Sequence, residues 1–129
     1  MLANGGNAAD AAIATSAVLA VTTQHMCGLG GDLFALVHHR TGAPDCLNAS
    51  GRAGTGADAD QLRAEGHTVM PFRHDVRTAP VPGCVDGWVA LHQRHGHLPF
   101  DALLEPAIAL ADDGFEVPRH LELAAPSVA

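Results

Sequence analysis

The stretch from His25 to Arg52, HMCGLGGDLFALVHHRTGAPDCLNASGR, constrains the fold more than any other part of the chain. Its glycines, Gly28, Gly30 and Gly31, allow positive φ and close backbone approach. An apolar, β-compatible run follows from Leu33 to His38, and Thr41-Gly42-Ala43-Pro44 is a turn signal. Asp45 to Ala49 reads as the return strand of a hairpin with a loop of four residues or longer. The hairpin runs into Ser50-Gly51-Arg52-Ala53-Gly54-Thr55-Gly56, a small, polar, flexible loop carrying one arginine. The segments on either side must supply the helix beneath this hairpin and the cover that holds it.

The helix beneath is expected from Ala8 to Val21, with Asn7 as N-cap and Asp10 near the positive end of the helix dipole. Ala9, Ile13, Ala17 and Ala20 share a face, with Ala12 and Ser16 beside them. Side chains this small let a neighbouring element come very close. After the hairpin, Asp58 to Glu65 suits a short helix stopped by Gly66. His67 to Arg77 is irregular, with Pro71, Arg73, His74 and Asp75, and Thr78 to Gly83 is a proline-stiffened connector. Val85 to His95 has helical periodicity, with Val85, Trp88, Val89 and His92 on one face, Leu91 nearby and Gly96 past its end. Asp101 can cap a helix from Ala102 to Asp112, which Pro106 should kink or split and Gly114 should end. Leu103, Leu104, Ala107, Ile108 and Ala111 supply its apolar face, and a further helix begins near Pro118.

Composition narrows the function. The chain has 129 residues, enough for one domain with a modest core. Aromatics are only 4% and tyrosine is absent, so that core must rest on Ala, Val and Leu. A net charge of −7 argues against a nucleic-acid partner. Ala11 to Val21 is too short to span a membrane, and Met1 to Asp10 lacks the basic start of a secretory leader. Cys27, Cys46 and Cys84 are odd in number and widely spaced, which fits ordinary buried thiols in a reducing, cytoplasmic setting. The glycines precede a strand instead of following one, the wrong order for a phosphate loop. No cofactor is expected.

Metal is not expected either. His38 and His39 are neighbours near a strand end and should point to opposite faces. His92 and His95 have i, i+3 spacing, but no carboxylate or cysteine completes a set, and His97 lies beyond Gly96. On residue type alone, Arg52 reads as an exposed arginine in a polar loop.

The motifs in series carry a resemblance. Gly5-Gly6-Asn7-Ala8-Ala9-Asp10-Ala11-Ala12 resembles the GGNA-x-DAA signature near the start of gamma-glutamyltranspeptidases. Cys27 to Phe34 is similar to that family's GIGGG-x-F segment, and Leu47 to Arg52 to the strand and loop bearing its substrate arginine. Val81 to Trp88 resembles VPG-x-V-x-G-W/L. Leu98-Pro99-Phe100 with Leu104 to Ile108 resembles LPW…L-x-PAI, and Gly114-Phe115 follows in step. The match runs in order along essentially the whole chain.

The resemblance implies an α+β chain, part of the four-layer αββα sandwich of an N-terminal nucleophile hydrolase: helix, β-hairpin, then helices. Residues 1–129 are then a single incomplete domain from the N-terminal portion of a large subunit. The implied reaction is cleavage of a gamma-glutamyl or related acyl amide, as in glutathione hydrolysis, by a threonine freed at the start of a small subunit. The implied partners are a gamma-glutamyl small molecule such as glutathione, the rest of the large subunit and the small subunit. No threonine here, from Thr15 to Thr78, suits the nucleophile, so no catalytic residue is assigned within the chain. The position matching the arginine that holds the substrate α-carboxylate is Arg52, the only substrate-binding residue expected. Classical transpeptidases place an acid after that arginine, whereas Ala53 stands here, and Asn48-Ala49-Ser50-Gly51-Arg52-Ala53 is closer to the acylase-like and hydrolase-like branch. Gly54 stands where that branch often has proline. The alternative from another class is a non-catalytic module that binds a small molecule or a protein partner.

Overall fold

A computed structural model describes residues 1–71 and 75–128. The expected residues Arg73 and His74 lie outside the described set. The long N-terminal helix, α1 (Ala8–Thr22), starts where the sequence places it. Asn7 and Asp10 form a reciprocal capping box: Asn7 Oδ1 accepts from the N–H groups of Ala9 (2.9 Å) and Asp10 (3.1 Å), and Asp10 Oδ2 accepts from Asn7 N–H (2.9 Å).

The hairpin is β1 (Leu33–Val37) and β2 (Asp45–Ala49), antiparallel, with Leu33 opposite Ala49 and Val37 opposite Asp45. Side chains alternate across it. Leu33, Ala35, Val37 and Leu47 pack toward the core, while Phe34 and Leu36 stand exposed on the other face. The remaining helices are α2 (Ala59–Ala64), α3 (Cys84–His95), α4 (Phe100–Asp113) and α5 (Arg119–Val128). The core lies where α1 meets α3 and α4, with the hairpin against α3: Ile13, Ala14, Ala17, Trp88, Leu91, Leu103 and Ala107 are buried there. Trp88 Nε1 donates to Ser16 Oγ at 3.1 Å, which gives the indole its polar partner inside the core.

Several expectations need correction. On α1, Ala14 is buried and Ala12 is exposed, so the buried face is turned slightly from the one expected. The buried face of α3 is Cys84, Gly87, Trp88 and Leu91, whereas Val85 is exposed. The cause is Gly87: a Cβ there would lie 2.7 Å from Ala49 Cβ, so the bare backbone sets how closely the sheet approaches the helix. The helix α4 begins at Phe100, ahead of Asp101, and runs unbroken through Pro106. Proline forfeits one helical hydrogen bond, and the burial of Leu103 and Ala107 on either side holds the helix through it. Two of the expected buried thiols, Cys27 and Cys46, are exposed; only Cys84 is buried, and burial pushes its thiol pKa up.

Candidate functional site

Arg52 lies just past β2, and its position is fixed by backbone. Its carbonyl accepts from Val81 N–H at 2.8 Å, forming an isolated antiparallel bridge between the loop and the proline-stiffened connector. Gly51 reaches this crossing with φ +84°, and a Cβ there would collide with the carbonyl oxygen of Val81. A Cβ on Gly83 would collide in turn with the carbonyl oxygen of Ala49. The Gly31 carbonyl, just before β1, accepts from the N–H groups of both Gly83 and Cys84 at 3.1 Å. The glycine turn expected from sequence thus serves the N-terminus of α3, with no phosphate role needed to explain it.

These contacts bound a cleft of about 340 Å³ lined by Asn48, Gly51, Arg52, Val81, Gly83 and Asp86, among others. Asn48 Oδ1 accepts from Ser50 N–H at 3.1 Å and shapes the turn into the loop. The Arg52 side chain is exposed and forms no ion pair among the described residues, although Asp86 lines the same cleft. An unpaired guanidinium in a glycine-walled cleft can take a carboxylate through two parallel hydrogen bonds. Asp86, in the first turn of α3, adds a negative charge to the same space, a feature that sequence patterning alone gave no reason to single out.

A second arginine, Arg77, is internally satisfied. Arg77 makes two bonds to Glu65 (3.0 and 2.9 Å) and further bonds to Asp75. The Arg77 guanidinium holds Asp75 well below the usual carboxylate range, at about 2, and also lowers Glu65. This cluster ties the connector to α2 and leaves no free cation for a ligand.

The histidines sort differently from expectation. His92 turns inward: its Nε2 donates to Leu98 O at 2.7 Å and its ring meets Phe100 edge-on. His95 turns toward the hairpin, where its Nε2 lies 3.5 Å from Asp45 Oδ2, and His39 Nε2 lies 3.2 Å from the same oxygen. The acid absent from the local sequence pattern is supplied across the fold. Only the pairing of β2 with β1 and the packing of α3 on the hairpin bring these three together.

Solved structures of similar shape define the class. A gamma-glutamyltranspeptidase from Pseudomonas nitroreducens, complexed with L-DON, superposes with a TM-score of 0.85 at 34% identity, covering 98% of this chain and 38% of that one. A cephalosporin acylase from Bacillus halodurans gives 0.83 at 39% identity, covering 93% of this chain and 22% of that one. Helices with a small two-stranded sheet match these N-terminal nucleophile hydrolase folds. The sequence model described as gamma-glutamyltranspeptidase matches residues 1–127, and the chain belongs to that family. Among curated relatives, the glutathione hydrolase-like YwrD proenzyme of Bacillus subtilis is 43% identical over 127 residues, 95% of this chain and 24% of that protein. The chain therefore spans about a quarter of that relative's length. The acylase-like and hydrolase-like company agrees with the wording around Arg52.

Proposed function

We propose that the chain forms part of one domain of a large subunit and supplies the carboxylate clamp of an amide hydrolase acting on gamma-glutamyl or related acyl substrates such as glutathione. Arg52 is the clamp. The observation that carries this is the exposed guanidinium, without an ion pair among the described residues, whose backbone is pinned by Val81 at the mouth of a glycine-walled cleft. The nucleophile and the donors that stabilise the tetrahedral intermediate come from other parts of the complete enzyme, because covalent catalysis needs them in one pocket with the clamp. The chain's own work is to bind and orient: it fixes the α-carboxylate end so that the amide carbonyl faces the nucleophile.

The test is Arg52→Ala in the full-length, processed protein. Two charge-assisted bonds at about 1.5–3 kcal/mol each give at least ~3 kcal/mol, or a fall of about 100-fold or more in kcat/KM. Arg52→Lys should recover only part, since an ammonium lacks the planar fork. The thermal midpoint should not change, because the side chain is exposed. An unchanged kcat/KM for gamma-glutamyl substrates in Arg52→Ala would refute the clamp.

A further inference from the structure

At the far end of the hairpin from Arg52, three potential ligands from three separate elements converge. His39 comes from the hairpin loop, Asp45 from the first position of β2 and His95 from the last position of α3. Their donor atoms all lie within 4.8 Å of one another. Two edges of this triangle are already close to coordination geometry. For ligands about 2.0–2.1 Å from a tetrahedral ion, neighbouring donors stand roughly 3.3 Å apart. The His39 Nε2–Asp45 Oδ2 and His95 Nε2–Asp45 Oδ2 separations are 3.2 and 3.5 Å. The remaining His–His edge can close by movement of His39, which sits half-exposed on a loop.

The supports are uneven in a useful way. His95 is nearly covered, its side chain only 13% exposed. Its carbonyl is held by Asn7 Nδ2 at 2.6 Å, and the next turn is held by Asp10 through His97 N–H. One imidazole is therefore fixed by the core, while the other ligands reach it from the surface. Arg94 lines the small cleft beside Asp45 and His95. Its positive charge opposes any cation there, so selectivity comes from the ligands: two imidazole nitrogens and one carboxylate suit a first-row transition ion better than a hard, oxygen-seeking one.

From this convergence, we infer that His39, Asp45 and His95 form a surface binding site for a first-row divalent transition ion, zinc foremost, that fastens the hairpin loop to the end of α3. The ion takes Nε2 of each histidine and one oxygen of Asp45, with its fourth position open to solvent. The site lies at the opposite end of β2 from Arg52, and its role is structural.

The experiment strips full-length protein with chelator and titrates Co2+, then Zn2+ as competitor. Cobalt's visible absorption reports tetrahedral nitrogen–oxygen ligation, and the thermal midpoint is followed alongside. Wild-type protein should develop the band, lose it to Zn2+, and gain in thermal midpoint with either ion. His39→Ala, Asp45→Asn and His95→Ala should each weaken binding by at least about 100-fold, more than the loss of an outer-sphere partner. His38→Ala, its exposed neighbour, should bind as wild type. Removing His39 alters only an exposed loop side chain, so circular dichroism should stay native in that variant even if His95→Ala disturbs packing. No cobalt band in wild type, or a band of equal affinity in His39→Ala, overturns the assignment.

Discussion

Asp10 offers the sharpest test of how this fold is held. Its carboxylate is completely buried, yet it lies in the first turn of α1, a helix that otherwise packs through Ala and Ile. It accepts three backbone N–H groups: Asn7 at 2.9 Å, His97 at 2.9 Å and Leu98 at 3.3 Å. The last two belong to the turn between α3 and α4, so one side chain joins the start of α1 to the crossing of the other two core helices. Burial raises its pKa, but the three N–H donors, with the charge of His92, outweigh burial and hold it below the ordinary carboxylate value. Asp10→Ala would leave three N–H groups without their acceptor. Each buried, unsatisfied donor costs about 1–3 kcal/mol. Water can reach the exposed His97 side of the turn, so the total should settle at roughly 3–5 kcal/mol, the range for breaking a buried charged contact. Asp10→Asn cannot rescue it fully, because its amide NH2 must face at least one of the same donors. Urea unfolding of full-length protein, with the exposed Asp113→Asn as control, reads the difference as a shift in midpoint. The pH dependence has a definite sign. A depressed folded-state pKa stabilises above the unfolded carboxylate value and loses that contribution as pH falls through the folded value. Wild type should thus lose its advantage over Asp10→Asn only in acid, below the usual carboxylate range. An Asp10→Ala midpoint within about 1 kcal/mol of wild type would refute the account.

Two further predictions concern the same framework. Gly51→Ala places a side chain at φ +84° and drives its Cβ into the Val81 carbonyl, so kcat/KM should fall as Arg52 is displaced, and stability should drop by at least the ~1–2 kcal/mol of left-handed strain; a native thermal midpoint would count against it. Removing the guanidinium in Arg77→Ala should return the Asp75 carboxyl from about 2 to near its ordinary value of ~3.9, read by carboxyl NMR titration. The contribution of that pair is full above the unfolded carboxylate range and is lost as pH falls toward 2. An unaltered Asp75 titration would show that Arg77 is not the cause.

What could be read from the sequence was local or repeated. The Asn7 cap, the start of α1, both strands and the positions of α2 and α5 all follow from signals within a few residues. The misplaced buried faces arose from tertiary packing. On α3, hydrophobicity pointed to Val85 and Val89, but Gly87 lets the sheet press against the side carrying Cys84 and Leu91. Pro106 reads as a breaker, yet the buried Leu103 and Ala107 keep α4 continuous. Two of the three partners of Asp10 lie 87 and 88 residues away, and no spacing rule reaches that far. His95 is likewise distant: His39 and Asp45 face each other across the hairpin turn, six residues apart, but only the packing of α3 on the hairpin brings His95 to them. For Arg52, the proposed role as carboxylate clamp rests on the order of the motifs. The Val81 bridge that fixes it could not be read from the residues themselves.

The position of Arg52 follows from an unusual division of labour. Most sites are shaped by side chains leaning on one another, but here the arginine's backbone is set by places where side chains are missing. Gly87 lets β1 and β2 settle against α3, and Gly51 and Gly83 let the two loop backbones cross in contact. Gly31 then joins the start of β1 to the first N–H groups of α3. At its other end, α3 is held by Asn7 and by Asp10 through the following turn. This helix is therefore a strut fastened to the hairpin at one end and to the first turn of α1 at the other. Close backbone packing has few alternative arrangements, because a steric wall on either side penalises any shift. A methyl group at Gly51, Gly83 or Gly87 would move the loop as a unit, whereas trimming an exposed side chain such as Phe34 would leave Arg52 where it is. The contrast follows from the geometry: the cleft depends on how closely its backbones approach, and its exposed apolar face lies on the other side of the sheet.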